Sequence, residues 1–229
     1  MDTLLPFNRT GGRPAIFLDK DGTLINDVPY NVDPGKMTFA PGAVAGLTAL
    51  RNLDALFIVV SNQSGVALGK FAESDLAAVH RRLKGMFRAC GVVLTDFYWC
   101  PHAPTDVAQG RGSPCECRKP APGMLLRAAR EHGIDLNASW MIGDILDDVE
   151  AGQRAGCRAV LIDNGNETMW QPGPFRKPVA RCTHVGQAIA YAAKHIRLRS
   201  GIMRSGQEIS GAPAVSDVPV ALAKGELYG

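Results

Sequence analysis

Short apolar runs alternate along the chain with stretches in which apolar residues recur at helical spacing. Buried strands are predicted at residues 14–18, 55–60, 92–99, 140–142, 158–162 and 179–182. Amphipathic helices are predicted at residues 41–53, 73–89, 122–132, 147–155 and 185–196. Strands that alternate with helices in this way predict an α/β fold, built on a doubly wound parallel sheet.

The two ends of the chain depart from this pattern. Residues 1–13 are expected to form a loose lead-in, and residues 14–197 to form the folded domain. From residue 198 to residue 229, Ser, Gly and Pro recur and no apolar period persists. We therefore expect a flexible tail over 198–229.

Composition narrows the class of protein without identifying it. The chain has 229 residues, of which 46% are hydrophobic and 21% are charged, as is usual for a globular domain. The net charge of +3 is too small to indicate a nucleic-acid partner. No apolar stretch is long enough for a membrane helix, and residues 1–12 do not resemble a signal peptide. We therefore expect a cytoplasmic protein.

Two acidic residues, Asp19 and Asp21, follow the first predicted strand. Residues i and i+2 of an extended chain point the same way, and ligands bind at the carboxyl ends of parallel strands. Two carboxylates held close together favour a hard divalent cation, usually Mg²⁺. A calcium loop of the EF-hand kind is excluded, because it would need Gly at Leu24 and Glu at Tyr30. An acidic turn without a ligand is the simpler alternative.

Three further polar positions lie at or soon after strand ends: Ser61 with Asn62, Lys119, and Asp144. Each has an ordinary structural explanation when it is taken alone. Asp148, one helical turn after Asp144, is suited to orient that carboxylate or a metal-bound water. The alternative for Asp148 is a favourable charge in the first turn of a helix.

Together, and in this order, these positions resemble the four motifs of the haloacid dehalogenase (HAD) superfamily of phosphatases over about residues 14–195. The resemblance implies Mg²⁺-dependent hydrolysis of a phosphate monoester through an aspartyl-phosphate. Asp19 would be the nucleophile and Asp21 the acid and base. Ser61, the backbone N–H of Asn62, and Lys119 would bind the phosphoryl group. The implied Mg²⁺ ligands are the Asp19 carboxylate, the Asp21 carbonyl and the Asp144 carboxylate.

Three thiols and one imidazole flank the Gly/Pro-rich segment at residues 100–118: Cys100, His102, Cys115 and Cys117. This set fits the four-coordinate shell of a structural zinc ion, and two unrelated pairs of thiols are the alternative. The pattern resembles the zinc loop of one HAD subgroup, the heptose 1,7-bisphosphate and histidinol-phosphate phosphatases. Members of that subgroup carry the loop in place of a large cap domain, so the resemblance implies a capless fold and a monomer.

The resemblance to the heptose enzymes also implies substrate contacts for Asp27, Tyr30, Ser61, Asn62, Gln63, Ser64, Arg118 and Lys119. It favours a D-glycero-D-manno-heptose 1,7-bisphosphate 7-phosphatase, which supplies a precursor of lipopolysaccharide. A histidinol-phosphate phosphatase and a broader sugar-phosphate phosphatase are the alternatives. One residue departs from the pattern, because Ile145 follows Asp144 where heptose phosphatases tend to carry Lys.

Two other classes of protein share part of this pattern. A phospho-receiver domain also has a doubly wound sheet with a phosphorylated Asp and a Lys. It lacks an acid/base residue at the position of Asp21, since its phosphate must persist. A zinc-ribbon binding module would explain Cys100 to Cys117 and leave the remaining motifs without a role.

Overall fold

The computed structural model describes residues 11–104 and 115–210. In these residues a parallel sheet has the strand order β3-β2-β1-β4-β5-β6. The strands are β1 (Ala15–Asp19), β2 (Leu56–Asn62), β3 (Asp96–Cys100), β4 (Trp140–Gly143), β5 (Arg158–Ile162) and β6 (Ala180–Cys182). The order starts in the middle and runs outward in both directions, which makes this a doubly wound sheet.

Helices cover both faces of the sheet. They are α1 (Ala43–Thr48), α2 (Leu76–Ala89), α3 (Gly123–His132), α4 (Leu146–Arg154) and α5 (Val185–Ser210). Side chains of β1 alternate between two apolar clusters, because successive residues of a strand point to opposite faces. Leu18 packs in the cluster that holds Leu47 of α1 and Ile189 of α5, whereas Phe17 packs in the cluster that holds Leu125 of α3. The predicted fold class is therefore confirmed.

The strand register brings the ends of the central strands to one edge. Asp19 at the end of β1 is level with Val60 of β2, and Leu18 is level with Ile142 of β4. The residues that follow these positions therefore emerge side by side. In the described residues the segment between β1 and β2 holds only short elements, as a capless fold requires.

Two element boundaries differ from the sequence prediction. The strand predicted at 92–99 is found at Asp96–Cys100, so Cys100 lies on the strand end. Val92 and Leu94 are buried against the core without belonging to the strand, whereas Val93 between them is 81% exposed. The helix predicted at 41–53 spans only Ala43–Thr48, and turns follow it at residues 49–52.

The ends of the chain also differ from the prediction. The last helix does not end near residue 196 but runs to Ser210, so its predicted end is wrong. The boundary between domain and tail at residues 197 and 198 stays a prediction. Gly201 and Gly206 cost the helix only about 1 kcal/mol each relative to Ala, and helix-forming residues surround them. Residues 211–229 lie outside the described residues.

The last residue of the predicted lead-in at 1–13, Arg13, is bound to the domain by backbone hydrogen bonds. The backbone N–H of Arg13 donates to the Gly133 carbonyl at 3.1 Å, and the N–H of Asp135 donates to the Arg13 carbonyl at 2.9 Å. Residues 1–10 lie outside the described residues. Over the described ranges, no helix combines the length and the apolar character that a bilayer span needs.

Candidate active site

Three carboxylates meet where the central strands end. Asp19 is the last residue of β1, Asp144 follows β4, and Asp148 lies in the first turn of α4. All three side chains are buried, and one oxygen of each lies within 4.8 Å of the others. Sequence analysis placed Asp19 and Asp144 in one site, and the structure brings them together.

Lys119 carries the positive charge of this group. Its Nζ donates to Asp19 Oδ1 at 2.5 Å, contacts Asp148 Oδ1 at 2.6 Å, and donates to the Val60 carbonyl at 3.3 Å. Asp148 therefore holds Lys119 directly, a contact that the sequence analysis did not predict. The predicted role, orienting Asp144 or a metal-bound water, stays a prediction. The other oxygen of Asp148 accepts from the backbone N–H of Ile145 at 3.3 Å.

The backbone of Lys119 is fixed by a side chain of β2. Lys119 N donates to Asn62 Oδ1 at 3.0 Å, and Asn62 Nδ2 donates to the Lys119 carbonyl at 3.1 Å. The side chain of Asn62 thus positions the lysine, in addition to any role of its backbone N–H toward phosphate. This contact joins two motifs that are 57 residues apart in the chain.

The charges of this site are not balanced within it. Three carboxylates surround one ammonium, which leaves two negative charges if all the groups ionise. Burial raises the pKa of Asp19 to about 7, although the charge of Lys119 opposes the shift. Burial and the nearby charge of Asp19 raise the pKa of Asp144 to about 6. A divalent cation held by these oxygens would balance the charge, and an all-oxygen donor set suits Mg²⁺.

Asp144 is oriented by two short hydrogen bonds. Thr23 Oγ1 donates to Asp144 Oδ1 at 2.9 Å, and Asn166 Nδ2 donates to Asp144 Oδ2 at 2.7 Å. Gly22 has φ of +79°, and a Cβ at this position would lie 2.3 Å from Asp144 Oδ2. These contacts explain why Gly and Thr follow the two acidic residues at the end of β1.

Asp21 occupies a more open environment than Asp19. Its side chain is 29% exposed, compared with 9% for Asp19. Lys20 Nζ donates to Asp21 Oδ1 at 2.7 Å, and Gln63 Nε2 donates to Asp21 Oδ2 at 3.1 Å. Gln63 Nε2 also donates to Ser61 Oγ at 2.7 Å, so it connects the acid/base candidate to the serine predicted to bind phosphate.

The four predicted zinc ligands form a second cluster. Cys100 Sγ lies 3.1 Å from Cys117 Sγ and 3.7 Å from Cys115 Sγ, and the sulfur atoms of Cys115 and Cys117 are 3.6 Å apart. His102 Nδ1 is 3.4 Å from Cys100 Sγ and 3.3 Å from Cys117 Sγ. Sulfur ligands about 2.3 Å from a tetrahedral zinc are roughly 3.8 Å apart, so the cluster fits zinc with small adjustments.

Comparison with known proteins agrees with this geometry. A family model described as HAD-hydrolase-like matches residues 116–192. The D-glycero-beta-D-manno-heptose-1,7-bisphosphate 7-phosphatase of Photorhabdus laumondii is 39% identical over 146 residues, which cover 64% of this chain and 78% of that protein. The chain belongs to the HAD-like phosphatases. It is a phosphoric monoester hydrolase.

Other HAD-like proteins extend the comparison. The enzyme of the same name from Escherichia coli K12 is 38% identical over 66% of this chain and 80% of its own length. The D,D-heptose 1,7-bisphosphate phosphatase from B. bronchiseptica, solved with magnesium and phosphate, aligns with a TM-score of 0.65 at 30% identity. That alignment covers 82% of this chain and 99% of the other chain.

The thiol cluster of this HAD-like chain and two predicted substrate-binding residues are connected through the backbone. The N–H of Gln63 donates to the Cys100 carbonyl at 2.8 Å, and the N–H of Arg118 donates to Cys115 Sγ at 3.4 Å. Since Cys117 is two residues before Lys119, the cluster restrains the segment that carries this lysine. Residues 105–114 of the predicted zinc loop lie outside the described residues.

The predicted substrate contacts lie in two places. Asp27 borders a cleft of about 240 Å³ next to Gly22 and Thr23, together with Asn26, Asn164, Asn166 and His184. Tyr30 is 50% exposed in the loop after β1. Arg118 lies on the zinc side, where its Nη1 donates to the His102 carbonyl at 3.0 Å. All the assigned substrate contacts stay predictions: Asp27, Tyr30, Ser61, Asn62, Gln63, Ser64, Arg118 and Lys119.

Sequence analysis missed the loop that follows β5. Asn166 orients Asp144, Asn164 Nδ2 donates to the Gly22 carbonyl at 2.9 Å, and Glu167 accepts from the backbone N–H of Leu146 at 2.7 Å. The signal was present, because five polar or Gly residues, 163–167, follow a buried strand of the same parallel sheet. Lys20, which is 1% exposed and bound to Asp21, was also missed.

Stabilisation by Mg²⁺ is expected to grow with pH. The raised pKa values of Asp19 and Asp144 mean that the folded, metal-free protein binds more protons than the unfolded chain between about pH 4 and pH 7, so its stability falls as pH rises. Mg²⁺ requires the ionised carboxylates and reverses this trend. Thermal unfolding should show a larger Mg²⁺-induced rise in Tm at about pH 8 than at about pH 6. A Mg²⁺-induced rise in Tm that is the same at both pH values would contradict the predicted pH dependence. A rise in Asp144→Asn as large as that of the wild type would contradict the role of Asp144 in binding Mg²⁺.

Zinc is expected to have a structural role. Treatment with a zinc-selective chelator, or the substitution Cys117→Ser, should lower the Tm by about 5 °C or more, since loss of a metal site costs several kcal/mol. Phosphatase activity should fall as well, because Lys119 loses a restraint on its backbone. Cys182→Ser, a half-buried thiol outside the cluster, is the matched control. If chelation leaves both the Tm and the rate unchanged, the role is wrong.

Proposed function

We propose that this chain is an Mg²⁺-dependent phosphatase that removes the 7-phosphate of D-glycero-D-manno-heptose 1,7-bisphosphate. The observation that carries the proposal is the buried group of Asp19, Asp144 and Asp148 around Lys119 at the end of the central strands. Relatives that bear this enzyme name, at up to 39% identity, support the choice of substrate. A small sugar phosphate as substrate fits a cytoplasmic monomer, which we propose as its working form.

The reaction proceeds in two steps at Asp19. A carboxylate oxygen of Asp19 attacks phosphorus, the ester P–O bond breaks, and Asp21 gives a proton to the leaving sugar oxygen. Water then attacks the aspartyl-phosphate while Asp21 takes up a proton, which releases inorganic phosphate and restores Asp19. The partial exposure of Asp21 lets it meet the sugar and the water in turn.

Side chains around Asp19 prepare it for an anionic substrate. The ammonium of Lys119, 2.5 Å from Asp19, lowers the repulsion between its carboxylate and the phosphate. The carboxylates of Asp19 and Asp144 and the carbonyl of Asp21 would hold Mg²⁺, which supplies two further positive charges to the phosphoryl group. Thr23 and Asn166 keep Asp144 in one orientation throughout.

The cleft beside Asp144 suits the sugar part of the substrate. Its lining offers carboxylate and amide groups from Asp27, Asn26 and Asn164, which can pair with hydroxyl groups. Arg118 would bind the phosphate at the other end of the substrate through the N–H groups that do not contact His102. Ile145 offers no charge next to Asp144, so this chain would recognise the bisphosphate without the lysine that heptose phosphatases tend to carry at this position.

A panel of phosphate esters tests the substrate. We expect Mg²⁺-dependent release of phosphate with the highest kcat/KM on the β-anomer of heptose 1,7-bisphosphate, because the relatives named for the β-anomer reach 39% identity and the relative named for the α-anomer 32%. The α-anomer, histidinol phosphate and simple sugar phosphates are the comparisons. A higher kcat/KM on histidinol phosphate would refute the heptose assignment and leave the phosphatase chemistry intact.

The substitution Asp19→Asn tests the nucleophile. We expect kcat to fall by about 10³-fold or more, because the amide cannot form the covalent intermediate. The fold should persist, since the substitution removes one of three mutually repelling carboxylates. Asp54→Asn, at an exposed residue paired with Arg13, is the matched control and should keep full activity. Comparable turnover in Asp19→Asn, measured as phosphate release, would remove Asp19 from this role.

A further inference from the structure

A third group of metal-ligating side chains lies at the amino end of β3, at the opposite end of this strand from Cys100. Asp96 begins β3, which is an edge strand of the described sheet, and Glu131 and His132 end α3. One imidazole nitrogen and one oxygen from each carboxylate all lie within 4.8 Å of one another. None of these residues takes part in the active site or in the thiol cluster.

The spacing of His132 and Asp96 suits a shared metal ion. His132 Nε2 lies 3.4 Å from Asp96 Oδ2. This nitrogen is closed to solvent and has no hydrogen-bond partner among the described residues, which is unusual for a buried polar atom. Two nitrogen or oxygen ligands of a tetrahedral zinc, each about 2.0–2.1 Å from the metal, are about 3.3–3.4 Å apart.

Glu131 is held in place by its neighbours. Tyr98 donates its hydroxyl to Glu131 Oε2 at 2.6 Å, and Arg127 Nε donates to Glu131 Oε1 at 2.8 Å. A carboxylate oxygen has a second lone pair, so either oxygen can also bind a metal. Metal-binding carboxylates are commonly hydrogen-bonded in this way. The positive charge of Arg127 will reduce the affinity of the site.

His80 approaches the other oxygen of Asp96 from α2. Its Nε2 is 3.7 Å from Asp96 Oδ1, and within the described part of the chain it too is buried without a hydrogen-bond partner. Asp96 therefore lies between imidazoles from helices on opposite faces of the sheet. An ion pair between a protonated His80 and Asp96 would be another explanation of this contact, but burial and the nearby charge of Lys84 lower the pKa of His80 and favour its neutral form.

We propose that Asp96, Glu131 and His132 bind a divalent transition-metal ion of the zinc class, with water completing its coordination. Zinc fits this set better than Mg²⁺, because imidazole is a ligand of zinc, copper, iron and nickel. The ion would tie the end of α3 to the start of β3. The site is distinct from the thiol cluster, whose ligands come from residues 100–117.

Calorimetric titration with Zn²⁺ tests the proposal on full-length protein whose thiol cluster is already loaded. We expect the wild type to bind one further equivalent, and His132→Gln and Asp96→Asn to bind it about tenfold more weakly or worse. His195→Gln, a substitution of a half-buried histidine of α5 that lies outside the active site and both clusters, is the matched control and should bind as the wild type does. Zn²⁺ should raise the Tm of the wild type and His195→Gln but not that of His132→Gln.

Three outcomes would overturn the proposal. In the first the wild type binds no further equivalent, and in the second His132→Gln binds it with unchanged affinity. In the third outcome Cys117→Ser loses the further equivalent and His132→Gln retains it, which would assign it to the thiols. Circular dichroism and Mg²⁺-dependent phosphatase activity confirm that the variants are folded, so weaker binding cannot be attributed to misfolding.

Discussion

The active site depends on one buried cation that pairs with carboxylates from two parts of the chain. Lys119 Nζ lies 2.5 Å from Asp19 and 2.6 Å from Asp148, and all three side chains are buried. Desolvation of such charges is costly, and removing one partner of a buried pair costs about 3–5 kcal/mol. The apolar core of the doubly wound sheet therefore has to hold β1 and α4 at the separation that one ammonium can bridge. The negative charge that Lys119 leaves uncompensated is what a divalent cation would balance in the proposed mechanism.

This arrangement places a strict demand on the segment before α3. Residues 115–122 belong to neither a strand nor a helix, yet they must fix Lys119. The side-chain amide of Asn62 forms hydrogen bonds with both the backbone N–H and the backbone carbonyl of Lys119. The thiol cluster restrains the same segment two residues earlier, and Cys100 is itself anchored at the end of β3. A loop that is held by side chains, and by zinc if the thiol cluster binds it as we expect, can be positioned as precisely as a residue on a regular element.

Sequence reasoning succeeded where the signal is local and failed where it is a contact between distant segments. Buried runs and helical spacing identified the strands. The order of Asp19, Lys119 and Asp144 along the chain, taken together, predicted that they share one site, and the fold brings them together. The end of α5 was missed because Gly and Ser in residues 198–210 were given more weight than the helix-forming residues between them. The polar run after β5 marked the loop that holds Asn166, but its partner Asp144, 22 residues away, is a tertiary contact that the run does not specify. The exposed Val93 between buried neighbours likewise depends on tertiary packing.

The different roles that we propose for Asp19 and Asp21 rest on their surroundings, since the two side chains are chemically identical. Both are aspartates two residues apart, but Asp19 is enclosed with Lys119, whereas Asp21 is 29% exposed and held by Lys20 and Gln63. A carboxylate that is bound to a cation and closed to water is suited to attack phosphorus. One that reaches solvent on a fixed support is suited to exchange protons with a leaving group and then with water. Gly22 helps to keep the two environments apart, because its missing Cβ leaves room for Asp144 in the buried group that contains Asp19, while Asp21 stays partly exposed.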